Sequence, residues 1–116
     1  MKLQQLRNLR TGAVIAGRVS EARDFFSRGL GLLPRKHVAR DEGLWIRGCS
    51  SVHTMGMRAI IDLYFLDREN RVLHFVHGAR PNRPYFSYRK AHSVLELGWD
   101  ENLERNVALG DQLALE

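Results

Sequence analysis

Apolar residues in this chain fall into short alternating runs, interrupted every few positions by glycine, proline or charged residues. A period of two marks a strand with one face turned inward. The clearest run is Ile60 to Asp67 (IIDLYFLD), where Ile61, Leu63 and Phe65 share one face and Ile60, Asp62, Tyr64 and Leu66 the other. DRENR has the polarity and length of a hairpin loop and returns into Val72 to His77 (VLHFVH). Further strands are expected at Thr11 to Ala16, Gly43 to Arg47, Ala91 to Leu97 and Gln112 to Leu115. Two helices are also expected. Ser20 precedes EARDFFSR with acids in its first turn, a base in its last and Gly29 behind it, and Asp100 precedes ENLERN.

Together these elements predict an α+β fold: a compact, mainly antiparallel β-sheet curled toward a barrel or sandwich, with two short helices. Alternating βαβ units are absent, which excludes a dinucleotide-binding architecture. Trp45, Ile61, Leu63, Phe65, Leu95 and Leu97 are the expected core, with Phe25 or Phe26 packed from the first helix. No linker or repeat divides the chain, so residues 1–116 read as a single domain, with 1–9 an extension either flexible or packed.

Composition narrows the class. Hydrophobic residues make up 44% and charged residues 27%, which suits a folded domain and excludes a disordered one. One cysteine excludes a disulfide framework, and no apolar run approaches the ~20 residues of a membrane span. Arg7, Arg10 and Arg18 interrupt every candidate signal-peptide centre, so a cytoplasmic location is expected. The net charge of +5 is uneven: residues 1–40 carry +7, 41–70 carry −2, 71–92 carry +5 without an acid, and 93–116 carry −5. Within 80–90, Arg80, Arg83, Arg89 and Lys90 interleave with Tyr85, Phe86 and Tyr88. That arrangement allows weak single-stranded nucleic-acid binding, against the simpler reading of a solvated loop whose aromatics cover the core edge. The simpler reading is preferred, and nucleic acid is not the expected partner.

Candidate chemistry concentrates at 43–62, where Trp45, Cys49, His53, Thr54, Arg58 and Asp62 surround a loop between two strands. Cys49 and His53 could pair as thiolate and imidazole, although a lone cysteine more often simply packs. No CxxC or HExxH spacing is present, and His74 and His77 leave opposite faces of a strand unless a bulge intervenes, so no metal is expected. Asp62 and Glu96 each interrupt an apolar strand. A carboxylate so placed must be hydrogen-bonded, paired or open to a polar pocket. Either the two acids anchor the 49–58 loop through its backbone N–H groups, or they line a site beneath it.

The same residues carry a family resemblance. Leu30 to Leu33 follow the first expected helix, His53 to Met57 form an HTxGM-type loop, Ile60-Ile61-Asp62 a PID-like strand start, and Phe65-Leu66-Asp67 an FLD turn. Val94 to Leu97 and Gly110-Asp111 supply a VLEL strand and a late GD turn. In this order, over about residues 10–116, the chain resembles the domain of unknown function 192 family of small bacterial and archaeal proteins. Ile60 departs from the proline common there. The resemblance implies a compact β-rich domain with short helices and no agreed biochemical activity, and its members are often exported.

The functional expectation is a non-catalytic module binding a small polar ligand or a protein segment at the 49–58 loop. Cys49, His53, Thr54 and Arg58 would make the contacts, with Asp62 and Glu96 beneath and Trp45 as wall or support. A small hydrolase or thiol-dependent enzyme using Cys49 and His53 is the alternative, and no cofactor is expected.

Overall fold

In the computed structural model, which describes residues 2–22, 37–83, 85–99 and 105–116, nine strands form two sheets. They are β1 Gln4–Asn8, β2 Val14–Ala22, β3 Glu42–Arg47, β4 Ser51–Val52, β5 Ile61–Leu66, β6 Val72–Ala79, β7 Phe86–Ser87, β8 Ser93–Gly98 and β9 Leu113–Leu115. Seven strands make one sheet in the order β6-β5-β8-β3-β2-β1-β9, and β4 pairs with β7 as a separate two-stranded flap. Among the described strands only β2 and β3 run parallel.

This corrects the expected α+β barrel or sandwich. Among the described residues there is no helix, and the seven-stranded sheet is open. Its edges touch at one corner, through an isolated bridge between Arg71 and Gln112. The first expected helix fails at its start because Ser20, Glu21 and Ala22 extend β2, paired with Leu44, Trp45 and Ile46. Glu21, read as a helix-dipole acid, instead accepts from Arg47 Nε at 2.7 Å. Tertiary pairing has overridden a local capping signal. The remainder of that helix, and Leu30 to Leu33, lie outside the described residues. Of the second expected helix, residues 100–104 lie outside them too, while Asn106 has φ of 54°, the left-handed region that a right-handed helix excludes.

β5 and β8 are interior strands of the sheet and are buried along their whole length. One face gathers Leu44, Ile46, Ile61, Leu63, Phe65 and Val94, covered by Met57 and Ala59. The other gathers Leu6, Val19, Trp45, Tyr64, Leu66, Leu95, Leu97 and Leu113. The alternation read from IIDLYFLD therefore assigns both faces correctly, and both are cores. Two devices then shape the end of the sheet where β5 begins and β8 ends. At Gly98 an added Cβ would lie 2.0 Å from the Ala39 carbonyl oxygen, so only glycine lets the 38–39 backbone cross there. On β6, the register shift between Ile61↔Ala79 and Leu63↔Val76 places His77 and Gly78 together opposite Asp62. Gly78 has φ of 71°, a bulge built on a left-handed glycine.

At the far corner, the Gly110-Asp111 turn is a polar clasp. Asp111 accepts from Arg10 Nε at 2.6 Å, Asn8 Nδ2 at 2.9 Å and the Ala108 amide at 2.8 Å. The Arg10 hydrogen bond is the main cause holding this carboxyl well below the usual range. Leu63 is fully buried between β8 and β6. Leu63→Ala should therefore lower stability by ~2–5 kcal/mol, measured by chemical denaturation; an unchanged midpoint would contradict the face assignment.

Candidate functional site

The 49–58 loop is locked by the 80–83 loop. Thr54 is fully buried. Its hydroxyl donates to the Arg80 carbonyl at 2.7 Å and accepts from the Arg83 amide at 2.8 Å. Its own amide donates to the Arg83 carbonyl, and its carbonyl accepts from Asn82 and Met57. The Gly56 amide donates to Asn82 Oδ1 and the Met55 amide to His53 Nδ1. The N–H groups of residues 54–57 are thus taken by the 80–83 segment and by the loop itself. Cys49 is half-buried against the first core, its thiol 3.7 Å from the Ile46 carbonyl. Trp45 lies in the second core, on the opposite face from this loop, with Nε1–H donating to Ser93 Oγ and the Arg47 guanidinium 3.9 Å over its ring.

Asp62 and Glu96 also part company. Asp62 pairs with Leu97 and Glu96 with Leu63, and alternate residues leave opposite faces. Glu96 points into the first core between Leu44 and Leu63, is 6% exposed, and bonds to no donor among the described residues. Burial alone raises its pKa to about 7.

Asp62, on the other face, is the centre of a polar cluster. The Gly78 amide, freed from the ladder by the bulge, donates to its Oδ1 at 2.9 Å. His77 Nδ1 approaches the same oxygen at 3.0 Å, and Arg105 Nε donates to Oδ2 at 3.3 Å. Arg105 is itself buried and donates onward to the Arg40 and Gly98 carbonyls. The Trp99 indole N–H points at His77 Nε2 from 3.0 Å. An indole can only donate, so Nε2 accepts and the ring proton sits on Nδ1, facing Asp62. The chain Asp62–His77–Trp99 therefore fixes the direction of the indole. The indole packs against Gly78, where a Cβ would be in ordinary contact 3.4 Å from Trp99 Nε1.

Two hollows flank this chain. One, of about 240 Å³, is lined by Asp62, Tyr64, Phe75, His77, Arg105, Asn106 and Val107. The other, of about 230 Å³, is lined by His37, Val38, Arg58, Ala59, Ile60 and Trp99. Arg58, at the end of the locked loop, is the one residue of the expected 49–58 site that lines the second hollow. Among the described residues its guanidinium has no hydrogen-bonded or ionic partner. No group of three metal-binding side chains is brought together among the described residues.

His37, His77, Trp99 and Arg105 were not singled out as a site by sequence. Gly78 directly after His77 in a strand pattern is the signal for a bulge, and it bears on His77 alone. The other three meet only through the fold. The raised pKa of Glu96 makes a sign-definite prediction. Its unfolded carboxyl ionises near the ordinary 4.5 while the folded one waits until about 7. Burial is therefore free below the lower value, and destabilisation grows as pH rises through this window, reaching about 3 kcal/mol above it. Wild type should lose that much relative to Glu96→Gln between pH 4 and pH 9 in denaturant titrations; parallel profiles would contradict it.

Comparison with known proteins follows the fold. A structure from Sinorhizobium meliloti 1021, described as a "putative transcription regulator", aligns with a TM-score of 0.77 at 21% identity, covering 97% of this chain and 91% of that one. A protein of unknown function from Novosphingobium aromaticivorans DSM 12444 aligns with a TM-score of 0.74 at 17% identity, covering 97% and 83%. At such identities the likeness establishes the fold alone. No curated protein matches the chain. The family model DUF192, described as "Uncharacterized ACR", matches residues 7–115. Matched from the first strand to the last, the chain belongs to the domain of unknown function 192 family.

Proposed function

We propose that the protein is a non-catalytic module that binds a small ligand, and that the ligand enters the hollow between Arg58, Trp99 and His37. The observation that carries this reading is a cation without a partner among the described residues, lining the same hollow as an aromatic ring of fixed orientation. A pocket with apolar walls and a few convergent polar groups is the usual form of a small-molecule site. Placing the ligand here keeps Arg58 from the expected site. It leaves Thr54, His53 and Cys49 as parts of the locked loop, with Asp62 acting at a distance through His77.

The enzyme alternative finds less support. Cys49 packs against the core, and His53 Nδ1 accepts the Met55 amide. The Asp62–His77 pair has the look of a general-base dyad, yet Nε2, the nitrogen that would take a proton, already accepts from Trp99. The nucleic-acid alternative weakens too. Phe86 and Tyr88 pack against the first core, leaving Tyr85 at 69% exposure to stack on a base. The regulator description attached to the Sinorhizobium protein remains a statement about that protein.

A thermal-shift screen of small metabolites tests the site. A ligand at 100 times its dissociation constant should add ~2.7 kcal/mol. Shifts should vanish in Arg58→Ala and in Ile60→Phe, which fills the hollow, and persist in Cys49→Ser and His53→Ala. Shifts that survive the first pair and vanish in the second would return the site to the 49–57 turn.

A further inference from the structure

Resting on that reading, we infer that the ligand is a single planar ring bearing one anionic group, a carboxylate or a phosphate. Size sets the first limit. The hollow, about 230 Å³, is smaller than the ~300–1,000 Å³ typical of drug-sized ligands, and suits one ring with a short substituent.

Charge sets the second. Arg58 and His37 are both exposed at the hollow, and among the described residues no acid lines it. Among the described residues, the acids nearest in the chain are engaged elsewhere. Asp41 lies 3.0 Å and Glu42 3.7 Å from Arg18, and Glu42 Oε1 also accepts the Ala39 amide. Asp62 faces His77 and Arg105. An anion entering the hollow therefore meets two donors and no opposing carboxylate among the described residues. A guanidinium presents a planar fork that matches a carboxylate or phosphate in two hydrogen bonds.

The third limit is the wall. Trp99 is 41% exposed and its N–H is committed to His77, so the indole offers its ring face and not a hydrogen bond. Offset stacking on such a face favours a flat partner. Because the indole is already held by Asp62 through His77, little conformational freedom is lost when a ring settles on it. Val38, Ala59 and Ile60 supply an apolar floor for the ring. His77 is in this sense a positioning residue for the site.

Fluorescence of the full chain tests the class. Of its two tryptophans Trp45 is fully buried, so quenching by an added probe reports Trp99. Benzoate and phenyl phosphate should quench saturably and bind about tenfold or more tightly than benzamide, a neutral ring, a gap of about 1.4 kcal/mol. They should equally exceed acetate and inorganic phosphate, anions without a ring, when binding is followed by thermal shift. Benzoate against phenyl phosphate separates the two anions. Arg58→Gln should bring benzoate down to the level of benzamide. His77→Ala, which frees the indole, should weaken the ring-bearing anions and leave acetate and inorganic phosphate unchanged. Equal binding of benzoate and benzamide, equal binding of benzoate and acetate, or no saturable binding of any probe at millimolar concentration overturns the ligand class while leaving the hollow as a site. Probe binding that persists undiminished in Ile60→Phe overturns the site itself.

Discussion

One buried carboxylate organises the end of the molecule where its candidate site lies. Asp62 sits in a central strand and receives the Gly78 amide, the His77 ring and the Arg105 guanidinium. Each of these would be expensive without it. The bulge strands a half-buried amide that needs an acceptor, and Asp62 supplies it. Arg105 is 5% exposed, and a buried charge stripped of its partner costs about 3–5 kcal/mol. A single side chain thus ties β5, β6 and the 105–107 segment together. The orientation of His77, and through it of Trp99, follows from the same contact.

The two acids that interrupt apolar strands look alike in sequence and behave differently. Asp62 is met by donors on a face where a bulge and a buried arginine create demand for an acceptor. Glu96, one strand away and on the other face, is surrounded by leucine and has only desolvation acting on it. The difference lies in parity along the strand: Asp62 pairs with Leu97, and Glu96 with Leu63. A shift of one residue would exchange their environments.

Much of what identifies the family in this chain is backbone support. Thr54 pins one loop to another, Asp67 accepts the Glu69 and Arg71 amides in the hairpin, and Asp111 gathers three donors at the far corner. Polar side chains at turns satisfy amides that no ladder reaches. A sequence reading that equates unusual polar residues with chemistry therefore gravitates to the HTMGM turn. In the structure that turn is a lock, and Arg58, just beyond it, lines the neighbouring hollow.

The local pattern was sufficient for the strands with their own periodicity. The faces of Ile60–Asp67, the DRENR hairpin, the strand around SVLEL and the family itself are all legible, because alternation and turn chemistry act over a few neighbours. What local pattern misjudged was every feature that depends on a distant partner. Ser20 carries a helix-capping signal but joins β2, because β3 offers a parallel ladder and Arg47 offers Glu21 a charge. The sheet stays open because β6 and β9 meet only at a corner, and no stretch of sequence encodes that angle. His37, Arg58 and Trp99 come from three separate segments and share a hollow because Gly98 admits the 38–39 backbone and the Gly78 bulge turns His77 toward the indole. Contacts between residues far apart in the chain are set by which backbones can approach one another, and that is decided by packing in three dimensions.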